Sequence, residues 1–211
     1  MVLRPDQIRE AVKVLESGGI MAHPTETLFG LAVDPDNQEA LERLTQLKGR
    51  SANKGFILLV PNRAILTNYV PPECLLAPTV QALLDAFWPG PLTLVLPALP
   101  TVSDLLTGGR STLAVRHSPS PLVESLLADW GGALVSTSAN RSNTPALSNP
   151  DQIAALFGKA LGCVVSGAVD ADALPSTLVK VGADGAVELL RPGAVPMATI
   201  QSVVDGVVSR C

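Results

Sequence analysis

Strand-length apolar segments alternate with amphipathic helical patterns along nearly the whole sequence, and this alternation restricts the fold more than any other feature. Apolar residues recur at helical spacing in Ile8 to Leu15 and in Ala40 to Leu47, whereas Phe56 to Val60 is a continuous apolar run of strand length. Near the C-terminus, Asp184-Gly185 predicts a hairpin turn between two strands. This order predicts an α/β fold, a mixed parallel and antiparallel sheet with helices on its faces.

The length and hydrophobic content suit one domain. The chain has 211 residues, of which 47% are hydrophobic, and this is enough for one sizeable core over residues 1–211. No apolar segment approaches the ~18 consecutive residues that a membrane span needs. The charged N-terminus also lacks the apolar stretch of a signal peptide. We therefore expect a cytoplasmic protein with no membrane partner.

Charge and cysteine content exclude several classes of protein. The net charge is −4 and only 3% of residues are aromatic, whereas a general nucleic-acid binder is usually basic and stacks bases on aromatic side chains. Any cationic surface must therefore be local. Cys74, Cys163 and Cys211 are far apart and lack CxxC spacing, so neither a zinc site nor a disulfide framework is predicted.

Common catalytic motifs are absent from the sequence. There is no GxxxxGK[ST] phosphate loop, no strand-borne GxGxxG, no HExxH and no GxSxG. The two histidines, His23 and His117, are few for metal or triad chemistry. Phosphate binding would therefore depend on cationic side chains, hydroxyls and loop amides.

Polar clusters adjoin several predicted strands, and each has an ordinary alternative. His23 to Gly30 follows a strand and precedes a helical region, so its polar residues either face a ligand or form a simple turn or helix cap. In an extended segment, Lys48 and Arg50 would point the same way and suit a triphosphate. The alternative is a solvated helix C-terminus, where cations are favoured.

Two further clusters follow the same pattern. Thr112 and Arg116 share one face of a predicted strand, and Arg116 at its end needs an anionic partner from the protein or from a ligand. Ser138 and Asn140 follow a strand predicted over 133–135, and the alternative for them is a polar loop that caps the next helix.

A last cluster surrounds the predicted hairpin. Ser176 precedes one strand, and Arg191 ends another that is predicted to be buried. Each cluster is a weak signal by itself. Together they place hydroxyls and cations at the ends of several strands, which indicates a site for a polyphosphate beside a small carboxylate.

Seven short motifs occur in one order and cover nearly the whole chain. They are His-Pro-Thr-Glu-Thr-Leu-Phe-Gly-Leu (23–31), Lys-Gly-Arg (48–50), Trp-Pro-Gly-Pro-Leu-Thr (88–93), Leu-Ala-Val-Arg (113–116), Ser-Thr-Ser-Ala-Asn (136–140), Pro-Ser-Thr (175–177) and Leu-Arg-Pro-Gly (190–193). The set resembles the YrdC-like family, the threonylcarbamoyl-AMP synthases, in its short bacterial form. The resemblance implies a twisted mixed sheet with a concave cationic groove.

The activity that the resemblance implies is nucleotidyl transfer. L-Threonine, bicarbonate and ATP, with Mg²⁺ expected, would give L-threonylcarbamoyl-AMP and pyrophosphate, and other threonylcarbamoyl-transferase proteins would then modify tRNA. One alternative is an RNA- or tRNA-binding module without turnover, although the acidic pI leaves room only for a weak tRNA contact. Another is a carbamoyl-adenylate enzyme, as in hydrogenase-maturation proteins, which carry this domain in a longer chain with zinc-finger-like cysteines.

The resemblance also implies roles for individual residues, carried over by matching position. Those implied to lie near threonine are Thr27, Arg116, Ser138 and Ser176, with Arg116 on the carboxylate. Those implied to lie near ATP are Arg50, Lys54, Thr112, Asn140, Ser148 and Arg191. Lys48 and Arg50 are the implied catalytic pair, facing the phosphates. The sequence departs from the usual motifs at His23 for an aromatic, Phe29 for Tyr, Ser51 for Pro and Asn143 for Gly.

Overall fold

The computed structural model describes residues 1–51, 53–169 and 172–208. The strands are β1 (Val2–Leu3), β2 (Met21–Pro24), β3 (Phe29–Val33), β4 (Ile57–Leu59), β5 (Leu92–Pro97), β6 (Thr112–Arg116), β7 (Leu134–Ser138), β8 (Cys163–Val165), β9 (Thr177–Val181) and β10 (Val187–Arg191). The helices are α1 (Ile8–Glu16), α2 (Gln38–Lys48), α3 (Pro72–Leu75), α4 (Pro78–Phe87), α5 (Asp104–Thr107), α6 (Pro121–Trp130), α7 (Pro150–Phe157) and α8 (Met197–Val208). Short 3-10 turns span Ala64–Asn68 and Gly158–Ala160.

The ten described strands form one sheet in the order β1-β8-β2-β3-β7-β4-β6-β5-β9-β10. Four neighbouring pairs are parallel (β1 with β8, β2 with β8, β4 with β6 and β5 with β9), and the other five are antiparallel. The predicted mixed sheet is therefore confirmed. The hairpin between β9 and β10 turns at Gly185, whose φ of 79° is the left-handed conformation that glycine adopts easily.

Helix α2 shows how local sequence sets the ends of an element. It begins after Asn37, whose side chain accepts a hydrogen bond from the backbone N–H of Ala40, and this satisfies one of the free donors of the first turn. It ends at Gly49, which takes the left-handed conformation with φ of 57°. The helix thus ends at Lys48, as predicted, and this ending decides where the Lys48 side chain points.

The helices cover both faces of the sheet, but one face only in part. Side chains alternate between the faces along each strand, so Met21 and Leu134 pack with α1 and α6 on one face. The residues of opposite parity, such as Leu31 and Val135, pack on the other face with α2, α4, α7 and α8. The groove described below lies on the α1–α6 face of the sheet.

Three local predictions were wrong. The segment after Pro24 leads into a buried strand, β3, and not into a helix. Strand β7 extends to Ser138, so the serines of this motif belong to the strand instead of following it. Strand β10 is the exposed edge of the sheet, with Leu190 45% exposed, and Arg191 therefore does not end a buried strand.

Two further observations concern predicted properties. Within the described ranges, no helix is both long and apolar enough to cross a membrane. Cys163 is buried and Cys74 is half-buried, and both are free thiols. Cys211 lies outside the residues that the structure describes.

Candidate active site

One row of side chains, aligned by strand register, forms the floor of a groove. Neighbouring strands pair Ser136 with Ile57, Ile57 with Ala114, Ala114 with Val95, and Val95 with Lys180. Paired residues point to the same face of a sheet, so these side chains line up across five strands. The groove above them has a volume of about 530 Å³, within the range of small-molecule sites.

The lining of the groove is rich in cations. Among the described residues, the charged groups that line it are Arg50, Lys54, Arg110, Arg116, Lys180, Arg191 and Glu188. Six of these seven are basic, although the whole chain carries a net charge of −4. A concave surface with this charge attracts anionic ligands such as phosphates and carboxylates.

The turn between β2 and β3 brings hydroxyls to the groove. The Thr25 hydroxyl oxygen accepts hydrogen bonds from the backbone N–H groups of Thr27 and Leu28, each at 3.1 Å, and it donates to the Leu28 carbonyl at 2.7 Å. These bonds satisfy the turn internally, as in an ordinary serine or threonine turn. Thr25 and Thr27 also line the groove. The segment is therefore an ordinary turn and, at the same time, faces the place of a ligand, which the sequence had offered as alternatives.

Arg116 stands at the C-terminal end of β6 with a protein partner. It is 5% exposed, and its guanidinium pairs with the carboxylate of Glu26. Its Nε donates to the carbonyl of Gly90 at 3.3 Å. Burial, and then the charge of Arg191, lower the pKa of Arg116 to about 10, so it stays protonated at neutral pH. The anion that the sequence requires for Arg116 is thus supplied within the protein.

A chain of hydrogen bonds links β5, β9 and β10 beside Arg116. The Ser176 hydroxyl lies 2.7 Å from the hydroxyl of buried Thr93. Arg191 Nη2 donates to the Ser176 carbonyl at 2.8 Å and to its hydroxyl at 3.1 Å. Both Ser176 and Arg191 line the groove, so these bonds fix two predicted site residues relative to each other.

Arg50 is held against the segment that leads into β4. Its Nε donates to the Lys54 carbonyl at 2.8 Å, its Nη2 donates to the Gly55 carbonyl, and its guanidinium lies 4.8 Å from the centre of the Phe56 ring. Burial, and then the charge of Arg110, lower the pKa of Arg50. Two cations that repel each other in this way are stabilised by a bound polyanion.

Lys48 does not line the groove. It is 2% exposed, and its Nζ donates to the carbonyl oxygens of Ser138 and Asn140 and, at 3.3 Å, to the side-chain oxygen of Asn140. Burial, and then the charge of Arg50, lower the pKa of Lys48 to about 8. The prediction that Lys48 and Arg50 point the same way from an extended segment was wrong, because left-handed Gly49 ends the helix between them.

The loop that Lys48 ties down carries Asn140 and Asn143. The Asn140 amide donates to the carbonyls of Arg141 and Thr144, so this side chain closes the loop. Asn143 has a φ of 65°, a left-handed conformation that asparagine tolerates better than most residues. The change from the usual glycine at this position is therefore compatible with the loop geometry.

Most of the predicted site residues come together in the structure. Those that line the groove are Thr27, Arg50, Lys54, Thr112, Arg116, Ser138, Ser176 and Arg191. Those that do not are Lys48, Asn140 and Ser148. Asn140 lies directly behind Ser138, which donates a hydrogen bond to its side-chain oxygen, and Ser148 is exposed in the following loop.

Sequence reasoning did not select several residues of the site. Arg110 and Ser136 line the groove, and Glu26 pairs with Arg116. Glu26 and Ser136 sit inside motifs that were noted, and strand parity with Ser138 was a usable signal for Ser136. Arg110 lies in the loop before β6, where no periodic pattern distinguishes it from a solvated cation.

His23 is a buried histidine beside the groove, paired across strands with Gly30, which lines it. It is 0% exposed, and a Cβ at Gly30 would lie 3.2 Å from its Nε2 and 2.6 Å from the Ser136 hydroxyl. Its Nδ1 lies 3.2 Å from the Pro24 carbonyl, which can only accept, so Nδ1 carries the proton. Burial lowers the pKa of His23 to about 4, and the ring is therefore neutral at pH 7.

Acidification is expected to weaken the fold through His23. The unfolded chain takes up a proton near pH 6.5, whereas the folded protein does so only near pH 4. Stability is therefore lost as the pH falls through this window, by about 3 kcal/mol between pH 7 and pH 4. In His23→Phe this loss of stability should disappear. The control is His117→Phe, at a half-buried histidine, and this variant should still lose stability as wild type does. Urea unfolding across this pH range measures the free energy of unfolding of each variant. The same dependence of this free energy on pH in wild type and His23→Phe would refute the assignment.

The fold and the groove together define a class of protein. A helix-covered mixed sheet with a cationic groove, lined by hydroxyls and by a buried arginine at a strand end, is an α/β domain that binds a small anionic ligand of phosphate and carboxylate character. The chain belongs to the Sua5/YciO/YrdC family, whose family model, described as "Telomere recombination", matches residues 13–193.

Similar proteins agree with this assignment. A protein of Nitrosococcus oceani named threonylcarbamoyl-AMP synthase is 41% identical over 172 residues, which is 82% of this chain and 91% of that protein. One of Vibrio vulnificus with the same name is 38% identical over 186 residues, covering 88% of this chain and 98% of the relative. The crystal structure of P. abyssi Sua5 complexed with L-threonine superimposes with a TM-score of 0.86 at 29% identity. That match covers 96% of this chain and 60% of the Sua5 chain.

Proposed function

We propose that this protein is an L-threonylcarbamoyl-AMP synthase, a nucleotidyltransferase that converts L-threonine, bicarbonate and ATP into L-threonylcarbamoyl-AMP, pyrophosphate and water. One observation carries the proposal: a single groove holds Arg116 with three hydroxyls and, near the other end of β6, Arg50, Lys54 and Thr112. Arg116 and Thr112 are four residues apart, or about 13 Å along the strand. A carboxylate and a phosphate chain therefore fit side by side.

Threonine binding is assigned to four residues. Arg116 offers the planar guanidinium that pairs best with a carboxylate. The hydroxyls of Thr27, Ser138 and Ser176 line the same groove and can exchange hydrogen bonds with the substrate's ammonium and hydroxyl groups. The P. abyssi relative has been crystallised with L-threonine, which supports an amino acid as the occupant.

ATP binding is assigned to the cationic side of the groove. Arg50, Lys54 and Thr112 line the groove near the starts of β4 and β6. Arg191 also lines the groove but is bonded to Ser176 on the Arg116 side, and we assign it to ATP by its matching position in the family. Asn140 and Ser148 belong to the loop that follows β7, and we assign them to ATP by their matching positions in the family. The apolar floor between these groups, which includes Ile57 and Ala114, can receive the nucleoside.

The chemistry requires alignment more than a strong base. Bicarbonate and the threonine amine, after its ammonium form has released a proton to water, give an N-carboxylate, the carbamate, with loss of water. A carbamate oxygen then forms a bond to the α-phosphorus of ATP, and the bond from that phosphorus to pyrophosphate breaks. The nucleophile is already an anion, so the protein's tasks are to hold the two anions in line and to neutralise the phosphate charge.

Arg50 and Lys48 perform these tasks in different ways in the proposal. Arg50 lies in the groove and stabilises the charge that develops on the leaving pyrophosphate. Lys48 uses its ammonium group on the oxygens of Ser138 and Asn140, so it acts by shaping the loop that holds both substrates. This role replaces the direct phosphate contact that the sequence implied for Lys48.

Mg²⁺ fits the proposal as a partner of ATP. Over the described ranges, no group of three or more His, Cys, Asp or Glu side chains could hold a metal ion. Mg²⁺ commonly binds through substrate phosphates and water, so the ion would arrive with the nucleotide and add to the neutralising charge of Arg50 and Lys54.

The product has a defined fate in the proposal. An acyl-adenylate is a reactive group donor, so other proteins must accept the threonylcarbamoyl group and transfer it to tRNA. We place this sequence of reactions in the cytoplasm. Contact of the protein itself with tRNA would be weak, because the whole chain carries a net charge of −4.

Arg50→Ala is expected to lower the rate of product formation at least ~100-fold, because a charge-stabilising group is lost from the transition state. The assay is pyrophosphate release with detection of threonylcarbamoyl-AMP by mass spectrometry, and each substrate is omitted in turn. Arg63→Ala is the matched control, since Arg63 is a half-buried arginine that pairs with Asp85 and does not line the groove. Pyrophosphate release that does not need threonine would contradict the proposed function.

A further inference from the structure

Glu26 contacts the site from outside the groove. It lies in the turn between β2 and β3, and its neighbours Thr25 and Thr27 line the groove whereas Glu26 is not among the described lining residues. Its carboxylate pairs with Arg116, and its side chain is 22% exposed. Glu26 therefore pairs with Arg116 without lining the groove, whereas Arg116 lines it.

The two oxygens of the Glu26 carboxylate face different groups of the protein. Oε1 faces Nη2 of Arg116, and Oε2 accepts a hydrogen bond from the Ser118 hydroxyl at 2.6 Å. Ser118 is itself 0% exposed, and its hydroxyl oxygen also accepts from the backbone N–H of Ser120 at 3.2 Å. The carboxylate is thus bonded to a buried serine in the segment that follows β6.

The guanidinium of Arg116 is consequently held on two sides. Its Nε donates to Gly90 and its Nη2 meets Glu26. None of the described residues forms a hydrogen bond or ion pair with its Nη1, which leaves this edge for a ligand. The charge of Arg191 lowers the pKa of Arg116. The Glu26 carboxylate, which is paired with Arg116, carries the opposite charge.

We propose that Glu26 is a positioning residue that holds the open edge of Arg116 toward the substrate carboxylate and thereby selects amino acids with a free carboxylate. The proposal rests on the function proposed above for this groove. An arginine fixed before binding loses less side-chain entropy when the substrate arrives, so the benefit appears in threonine affinity. Glu26 does not line the groove, so we expect neither the affinity for ATP nor the rate of the chemical step to depend on it.

A different arrangement would give the opposite effect. A Glu26 carboxylate that occupied the place of the substrate carboxylate would compete with threonine, and its removal would tighten binding. The position of Glu26 outside the groove lining favours positioning. The two arrangements therefore predict changes of opposite sign in threonine affinity.

The test compares Glu26→Gln with wild type. The expected result is a KM for threonine raised about tenfold, with kcat within about threefold and an unchanged KM for ATP. The reason is that Arg116, which binds the carboxylate, is no longer held in a fixed orientation. Calorimetric binding of L-threonine and L-threoninamide adds a second readout. Wild type should bind threonine more tightly than threoninamide, because the amide lacks the charge that Arg116 recognises. The ratio of the two affinities should fall about tenfold in Glu26→Gln.

Two further variants keep the test decisive if Glu26→Gln does not fold. Glu26→Asp should restore part of the threonine affinity, and Ser118→Ala should reproduce part of the loss, since it removes the bond to Oε2. A lower KM for threonine in Glu26→Gln, or equal losses for threonine, threoninamide and ATP, would overturn the proposal. So would unchanged threonine binding in both Glu26→Asp and Ser118→Ala.

Failure of this proposal can be told apart from failure of the proposed function. Threonylcarbamoyl-AMP production with unchanged kinetics in Glu26→Gln would remove the role of Glu26 alone. Threonine binding that depends on Glu26, in a protein that forms no threonylcarbamoyl-AMP, would remove the proposed function and keep the role of Glu26. A wild-type protein that binds no threonine would overturn both.

Discussion

A Lys48→Met variant is expected to lose at least ~100-fold in product formation although Lys48 does not line the groove. The ammonium group holds the carbonyls of Ser138 and Asn140, and methionine of similar length offers no donor. The loop after β7 would then shift, and Ser138 and Asn140 would leave their places beside both substrates. A displacement of about 1 Å is enough for a loss of this size.

The same substitution should lower the stability only moderately. Two buried carbonyls lose a charged donor, at about 1–3 kcal/mol each, but the buried ammonium, whose pKa is lowered to about 8, no longer has to be desolvated. We expect a net loss of about 2 kcal/mol, or roughly 5 °C in Tm. Steady-state kinetics should show raised KM values for both threonine and ATP.

Exposed Lys159 provides the control, and Lys159→Met should change neither kinetics nor Tm. Wild-type kinetics in Lys48→Met would show that the loop is held without the ammonium group. A loss in kcat alone, with both KM values unchanged, would instead favour the direct phosphate contact that the motif implied.

A Gly193→Ala variant is expected to lose about 3 kcal/mol of stability together with threonine binding. A Cβ at Gly193 would meet the Pro175 carbonyl oxygen and would lie 2.5 Å from Thr177 N and 2.6 Å from the Ser176 carbonyl carbon. These are backbone atoms, so no side chain can swing away to make room. The segment before β9 must move instead, and Ser176, which binds Arg191, moves with it.

Gly206→Ala is the matched control for this substitution. Gly206 lies in α8, and a Cβ there would have nothing within 4 Å. Alanine has the higher helix propensity, so this variant should be more stable than wild type by up to ~1 kcal/mol. Chemical unfolding and calorimetric threonine binding measure both variants, and a Gly193→Ala protein with wild-type stability would show that the close approach relaxes easily.

Periodicity in the sequence predicts most of the elements because their apolar faces are regular. The apolar spacing in Ile8–Glu16 and Gln38–Lys48 matches the observed helices, and the hairpin turn lies at Gly185 as predicted. Strand β3 was missed because Phe29–Val33 is buried on both faces, and a short continuous apolar run does not distinguish a strand from a buried helix.

The site was less predictable because its geometry depends on contacts between distant segments. Local spacing alone placed Lys48 beside Arg50, but Lys48 finds its partners 90 and 92 residues away. Arg116 was known to need an anion, and strand parity could not choose between a ligand and Glu26. Hydroxyls at strand ends were easier to place, since Thr27, Ser138 and Ser176 all face the groove.

The central claim is that the groove joins a carbamate made from bicarbonate to the α-phosphate of ATP. Single-turnover reaction of the protein with ¹³C-bicarbonate, ATP, Mg²⁺ and L-threonine tests it most directly, with the products identified by mass spectrometry. The account predicts threonylcarbamoyl-AMP with one ¹³C atom in the carbamoyl group and an equal amount of pyrophosphate. An unlabelled threonyl adenylate, or AMP and pyrophosphate formed without uptake of the label, would contradict it.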